Sequence, residues 1–238
     1  KAETLYYKEK MNIYPVDSEL IDYNIETGVY DINSNSNFDA RGFPAIDYML
    51  HGLSDNNEFI IEIYTSSSDH SEYLDALINS MLDYTMLIIE DWETYRDDFI
   101  VSTENTSTSS INKMTNDFIF YFEKGFRANK IGIPAGVFSA GSPYPQGVEA
   151  FYKKDVSKTL ALEALNACKN FFIGQSFSSK NIGNSIVVSQ NIGLGLGAYL
   201  DSLSVSAKNN LSLEIFSEFN EAETQLSELN NNFVDQIN

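Results

Sequence analysis

Cysteine occurs once in this chain, at Cys168, so no intrachain disulfide and no cysteine-based zinc site can form. Histidine occurs twice, at His51 and His70, and no HExxH pair is present, which excludes a zincin-type protease at the motif level. Positive charge is scarce: 15 Lys and Arg face 34 Asp and Glu, a formal net charge of −19 over 238 residues. A surface that acidic repels phosphate backbones, so nucleic acid is excluded as a partner. An anionic membrane surface is disfavoured for the same reason.

No apolar run reaches the length that spans a bilayer. No basic, apolar, small-residue start resembles a signal peptide either. The sequence opens at "KAETLYYKEK" without a methionine, which reads as a processed product whose export signal or lipid anchor lay upstream. Other fingerprints are missing too. No GxSxG elbow occurs, and "SAGSP" at 139–143 reads as a turn. "GLGLG" at 193–197 lacks GxGxxG spacing and a βαβ unit, so its glycines fit close helix packing or a tight helix start.

What the chain does have is helical periodicity and 43% hydrophobic residues, enough for a sizeable core. In "SEYLDALINSMLDYTMLIIEDWETYRDDF" (71–99), Leu74, Leu77, Ile78, Met81, Leu82, Tyr84, Leu87, Ile88 and Trp92 make a broad apolar stripe, with Ser71 as cap. "INKMTNDFIFYFEKGFRANKIG" (111–132) aligns Ile111, Met114, Phe118, Phe122 and Phe126, after a Ser/Thr-rich loop at 102–110. A third helix is expected from Val156 to Phe172, ending near Gly174 and placing Cys168 in the core. A shorter one is expected over Leu194 to Ser206, and a last one from Leu211 to Ile237. "EFIIEIYT" (58–65) has strand composition but no evident partner, so it reads as an extended connection or a helix of poor propensity. The pattern predicts an all-α bundle.

Two stretches carry candidate chemistry. "GIPAGVFSAGSPYPQGVEAFY" (132–152) holds three prolines and four glycines, and a loop so stiffened either lines a site or crosses between bundles. "RGFPAIDYMLHG" (41–52) places Asp47 and His51 one turn apart if Ala45 to Leu50 is helical. Both side chains can reach one metal ion, but a transition-metal site takes at least three protein ligands and only two are nominated. A surface Asp–His pair is the simpler reading, and Arg41 is placed to neutralise Asp39 or Asp47. The abundant acidic pairs elsewhere, such as Asp97 and Asp98, read as solvated helix faces.

"DARGFPAIDYMLHG" also resembles the signature region of the imelysin-like family of exported helical proteins, grouped with insulin-cleaving peptidases and iron-regulated proteins. The family signature GxHxxE reads here as Gly42, Phe43, Pro44, Ala45, Ile46 and Asp47, followed by Tyr48, Met49, Leu50 and Gly52. "NIYPVDSELID" (12–22) is similar to the family's aromatic-Pro segment, and "VEAFY" (148–152) to its second half. The resemblance implies a pair of related helical bundles with the signature at their junction. It divides the chain into portions 1–130 and 131–238 of one continuous unit. The family's N-terminal helices belong before "KAETLYY", so an incomplete first bundle is expected, with those helices removed or on a separate chain.

The departures decide the functional expectation. The family's histidine is Pro44, which has no ligating atom, and its glutamate is the shorter Asp47. The resemblance then implies a non-catalytic exported binding protein of the periplasm or outer cell surface, a lipoprotein associated with iron, haem or another extracellular ligand. Its only membrane attachment would be the upstream lipid anchor, and its partner a small ligand or extracellular protein. The expected ligand-binding residues are Asp39, Arg41, Gly42, Pro44 and Asp47 with Tyr144 and Glu149. The alternative is a metal-dependent peptidase binding iron or zinc through Asp47 and His51.

Overall fold

The computed structural model describes residues 10–182, 185–203 and 210–237. Helix α1 (Ser18–Thr27) is followed by α2 (Gly42–His51), α3 (Asn57–Ser66) and the long α4 (Asp69–Val101). Helix α5 (Ser110–Phe120) runs on into a π-helix (Tyr121–Gly132). After the proline-rich loop come α6 (Ser157–Ile173), strands β1 (Gln175–Ile182) and β2 (Ser185–Ile192), α7 (Leu196–Leu203), α8 (Leu211–Ser227) and α9 (Phe233–Ile237). The fold is all-α, with one antiparallel hairpin among the described residues, its register pairing Gln175 with Ile192 and Phe177 with Gln190.

Two apolar clusters organise these elements. The first gathers Ile21, Ile25, Ala45, Tyr48, Met49, Tyr73 and Leu77 from α1, α2 and α4, with Tyr152 packed against it from far along the chain. The second gathers Phe126, Val148, Ala161, Leu165, Cys168, Phe172, Phe219, Leu226 and Phe233 from the π-helix, the loop, α6, α8 and α9. Each fully buried Leu or Phe side chain contributes roughly 1.5–3 kcal/mol over its exposed state. Burial also pushes the Cys168 thiol up to about 11, as expected of a core cysteine.

Several boundaries differ from the periodicity. "EFIIEIYT" is helical, because the Asn56 side chain accepts the Glu58 amide at 2.8 Å and caps α3 while Ile60 is buried. Helix α4 starts at Asp69, two residues before the expected cap Ser71, and Ser68 in the cap position makes no side-chain bond. The last helix breaks in two at the asparagine run. There Asn230 Oδ1 accepts the Asn232 amide at 3.1 Å, and Asn232 Oδ1 accepts the Val234 amide at 3.0 Å and restarts the chain as α9. The hairpin was not expected at all. Its β2 segment is short and β-branched at Ile186, Val187 and Val188, but β1 is serine-rich and carries little strand signal. Of the helix expected over Leu194 to Ser206, the part to Leu203 forms α7 from Leu196, and 204–206 lie outside the described residues.

The "GLGLG" glycines do allow close packing. Gly193 donates its amide to the Gly174 carbonyl at 2.9 Å, and a Cβ on Gly195 would collide with the backbone of Ile173 and Gly174. Helix α4 has two apolar sides. Tyr73, Leu77 and Tyr84 are buried, whereas Ile78, Leu82, Met86, Ile89 and Ile100, about half a turn round the helix, are exposed, as is Trp92 between the two sides.

Candidate functional site

The signature segment is α2 itself. Arg41 occupies its cap position in an extended conformation and makes no side-chain cap bond. Gly42 then adopts φ +75°, and a Cβ there would collide with the Met11 carbonyl, so the helix can start only with glycine. Pro44 falls in the first turn, where a backbone N–H has no intrahelical acceptor, so proline fits without loss of a helix bond. Its ring is fully buried. The turn before α2 is fixed by Tyr73, whose hydroxyl donates to the Ala40 carbonyl at 2.8 Å and accepts from Asn24 at 3.3 Å.

Asp47 projects from α2 towards the end of the proline-rich loop. Its Oδ2 accepts the Tyr152 amide at 2.9 Å and its Oδ1 accepts the Lys153 amide at 3.0 Å. Burial pushes the Asp47 carboxyl above the ordinary carboxylate range, opposed by those two amides and by the charges of His51 and Lys153. The strap from Val148 to Lys154 is held at further points. Ala150 donates its amide to the Tyr14 hydroxyl at 3.1 Å, and Glu149 accepts from Asn12 at 3.0 Å while pairing with Lys130 of the π-helix. Both Ala150 (φ +56°) and Lys154 (φ +67°) sit in the left-handed region, a conformation that costs about 1–2 kcal/mol per non-glycine residue. The clamp holds that strained backbone in place. The Tyr48 ring packs on Tyr152 with centroids 5.0 Å apart, and the Tyr48 hydroxyl donates to Asp22 at 2.7 Å.

The structure therefore brings Pro44 and Asp47 to one seam between α2 and the strap, whereas Glu149, on the strap, meets Asn12 and Lys130, and Gly42 packs on Met11. Asp39 is exposed, and its carbonyl accepts the Asp17 amide at 2.8 Å. Tyr144 is also exposed and packs beside Gly147 rather than against α2. Arg41 is 1% exposed and pairs with neither Asp39 nor Asp47 among the described ion pairs. Its Nη1 donates to the Ile32 carbonyl at 3.2 Å, the Phe38 ring lies 5.0 Å from Cζ, and Nε and Nη2 have no hydrogen-bond acceptor among the described residues. A cavity of about 40 Å³ lies between Tyr14, Pro15, Pro44, Phe151 and Tyr152, roughly the space of one water.

A family model for imelysin matches residues 2–238. The chain belongs to the imelysin family. No curated protein and no solved structure matches it. Imelysins are commonly extracellular or periplasmic, and among the described residues no helix is long and apolar enough to cross a membrane.

The donor set of this imelysin does not fit a metal at the signature. Pro44 supplies no ligand, both Asp47 oxygens accept backbone amides, and no group of three His, Cys, Asp or Glu side chains converges among the described residues. Sequence reasoning missed Asn12, Tyr14 and Lys130 as partners of the seam. Asn12 and Tyr14 carried a signal, as part of the aromatic-Pro segment, but that signal named no role, and Lys130 carried none.

Proposed function

We propose that this imelysin is an exported, non-catalytic binding protein in which the signature segment acts as a structural clamp. The observation that carries the reading is the engagement of both Asp47 oxygens by the Tyr152 and Lys153 amides. A carboxylate so committed holds the two parts of the chain together instead of presenting an open coordination position or a general base. Proline at the family's histidine position supports the same conclusion. The family's association with iron and haem uptake makes those the first ligands to try.

Calorimetric titration of chelator-treated protein with zinc and with ferrous iron tests the reading, alongside Asp47→Ala and an assay of unfolded casein cleavage. The expected result is no tight stoichiometric binding dependent on Asp47 and no chelator-sensitive cleavage. Tight binding abolished in a folded Asp47→Ala protein, or cleavage that stops on chelation, would establish the metallopeptidase instead.

A further inference from the structure

Helix α6 has a second face. Its core side carries Ala161, Ala164, Leu165, Cys168 and Phe172. The other carries Glu163, Asn166, Ala167, Asn170 and Phe171, at spacings of three and four that line up as a continuous stripe. Opposite this stripe stands one face of the hairpin. Gln175 and Phe177 are two residues apart on β1, and Gln190 is the cross-strand partner of Phe177. Together these residues line a groove of about 580 Å³, within the size range of small-ligand sites.

Its chemistry is selective. Asn166, Asn170, Gln175 and Gln190 each offer an amide donor and an acceptor, and Glu163 adds a carboxylate acceptor. None of their side chains takes part in a hydrogen bond or ion pair within the described structure, so the groove's polar capacity is uncommitted. Phe171 stacks on Phe118 with centroids 5.0 Å apart and planes 23° from parallel, which fixes its ring, and Phe177 stands exposed across the groove. Ala167 keeps the floor low. Among the described residues no Lys or Arg lines the groove, and a chain of net charge −19 repels anions.

We infer that the groove between α6 and the hairpin is a binding site for a neutral oligosaccharide. Planar amides and a carboxylate match the mixed donor–acceptor pattern of sugar hydroxyls, and flat aromatic faces match the C–H faces of pyranose rings. An extended peptide would instead pair with a free hairpin edge through its backbone, whereas these side chains converge on the hairpin's face. The groove shares no residue with the seam around Asp47, so this inference stands or falls independently of the signature's role.

The test is ¹⁵N-TROSY titration of the full chain with the hexaoses of glucose (α-1,4, β-1,4 and β-1,3), mannose and N-acetylglucosamine. A hexagalacturonate and an uncharged hexapeptide serve as comparisons. The expected result is at least one neutral hexaose with Kd below about 1 mM, shifting the side-chain amides of Asn166, Asn170, Gln175 and Gln190. Asn170→Ala and Phe177→Ala should each weaken it tenfold or more, and Gln190→Ala, on the outer strand, provides a second variant should either fail to fold. Asp47→Ala should leave the affinity unchanged. The inference is overturned if no neutral hexaose binds, if the shifts map elsewhere, or if hexagalacturonate or the peptide binds more tightly.

Discussion

Replacing Asp47 with alanine removes both acceptors of the strap at once, and the structure sets the size of the effect. The bond from the Tyr152 amide is part-buried, and a hydrogen bond to a charged acceptor is worth about 1.5–3 kcal/mol. The bond from the Lys153 amide is exposed, so water replaces most of it. Burial of the carboxylate, which raises its pKa, offsets part of the total. A net loss of about 2 kcal/mol follows from these terms. In a chain of this length that is roughly 4–8 °C in Tm. Urea unfolding should show a lower midpoint at unchanged slope, because the surface exposed on unfolding hardly changes. Hydrogen exchange gives the local readout: the Tyr152 amide should exchange about thirtyfold faster, the equivalent of 2 kcal/mol. A variant within about 0.5 kcal/mol of the parent, with Tyr152 protection unchanged, would refute the clamp.

The raised Asp47 carboxyl also sets a pH dependence. Its folded pKa lies above its unfolded value, so the folded state keeps a proton that the unfolded chain has released. The contribution of Asp47 is therefore fullest below about pH 4 and falls as pH rises through the raised folded value. The stability gap between parent and Asp47→Ala, followed by urea melts across that window, should narrow with rising pH, and a widening gap would mean that the folded carboxyl titrates below its unfolded value. Gly42→Ala should lose at least about 2 kcal/mol by calorimetry, from the left-handed φ together with the collision with the Met11 carbonyl. Lys130→Met should lower stability by about 1–2 kcal/mol, because among the described residues it leaves the half-buried Glu149 with only Asn12 as partner. Cys168 should react with a disulfide reagent only on unfolding, which thiol titration with and without guanidinium will read directly.

The helices were legible where the core is one-sided. Ala161, Leu165 and Phe172 recur at helical spacing, and Gly174 at φ +78° ends α6 near the expected residue. Periodicity misled where a helix has two apolar sides: of the stripe expected on α4, Leu77 and Tyr84 are buried while Ile78, Leu82, Leu87 and Trp92 are exposed. Hydrophobicity alone does not say which side meets the core. The hairpin escaped because a two-stranded ribbon draws on pairing, and pairing is not local. The candidate site shows the same division. Gly42, Pro44 and Asp47 were identifiable from a short motif, but the use of Asp47 depends on two amides more than a hundred residues away. Arg41 looked like a neutraliser of acids and is instead buried against a carbonyl and a ring.

The strap also governs how the protein acquires its shape. Its bonds to Asn12, Tyr14 and Asp47 span 137, 136 and 105 residues, so each closes a very large loop, whereas helices α1 to α4 and α6 to α9 meet mostly near neighbours. Loop-closure entropy opposes such contacts until the pieces they join are already formed. The two apolar clusters are therefore expected to condense first and the seam to zip last, after the folding transition state. Breaking it should leave the refolding rate nearly untouched and accelerate unfolding, so the clamp acts as a latch on the finished protein and takes little part in building it.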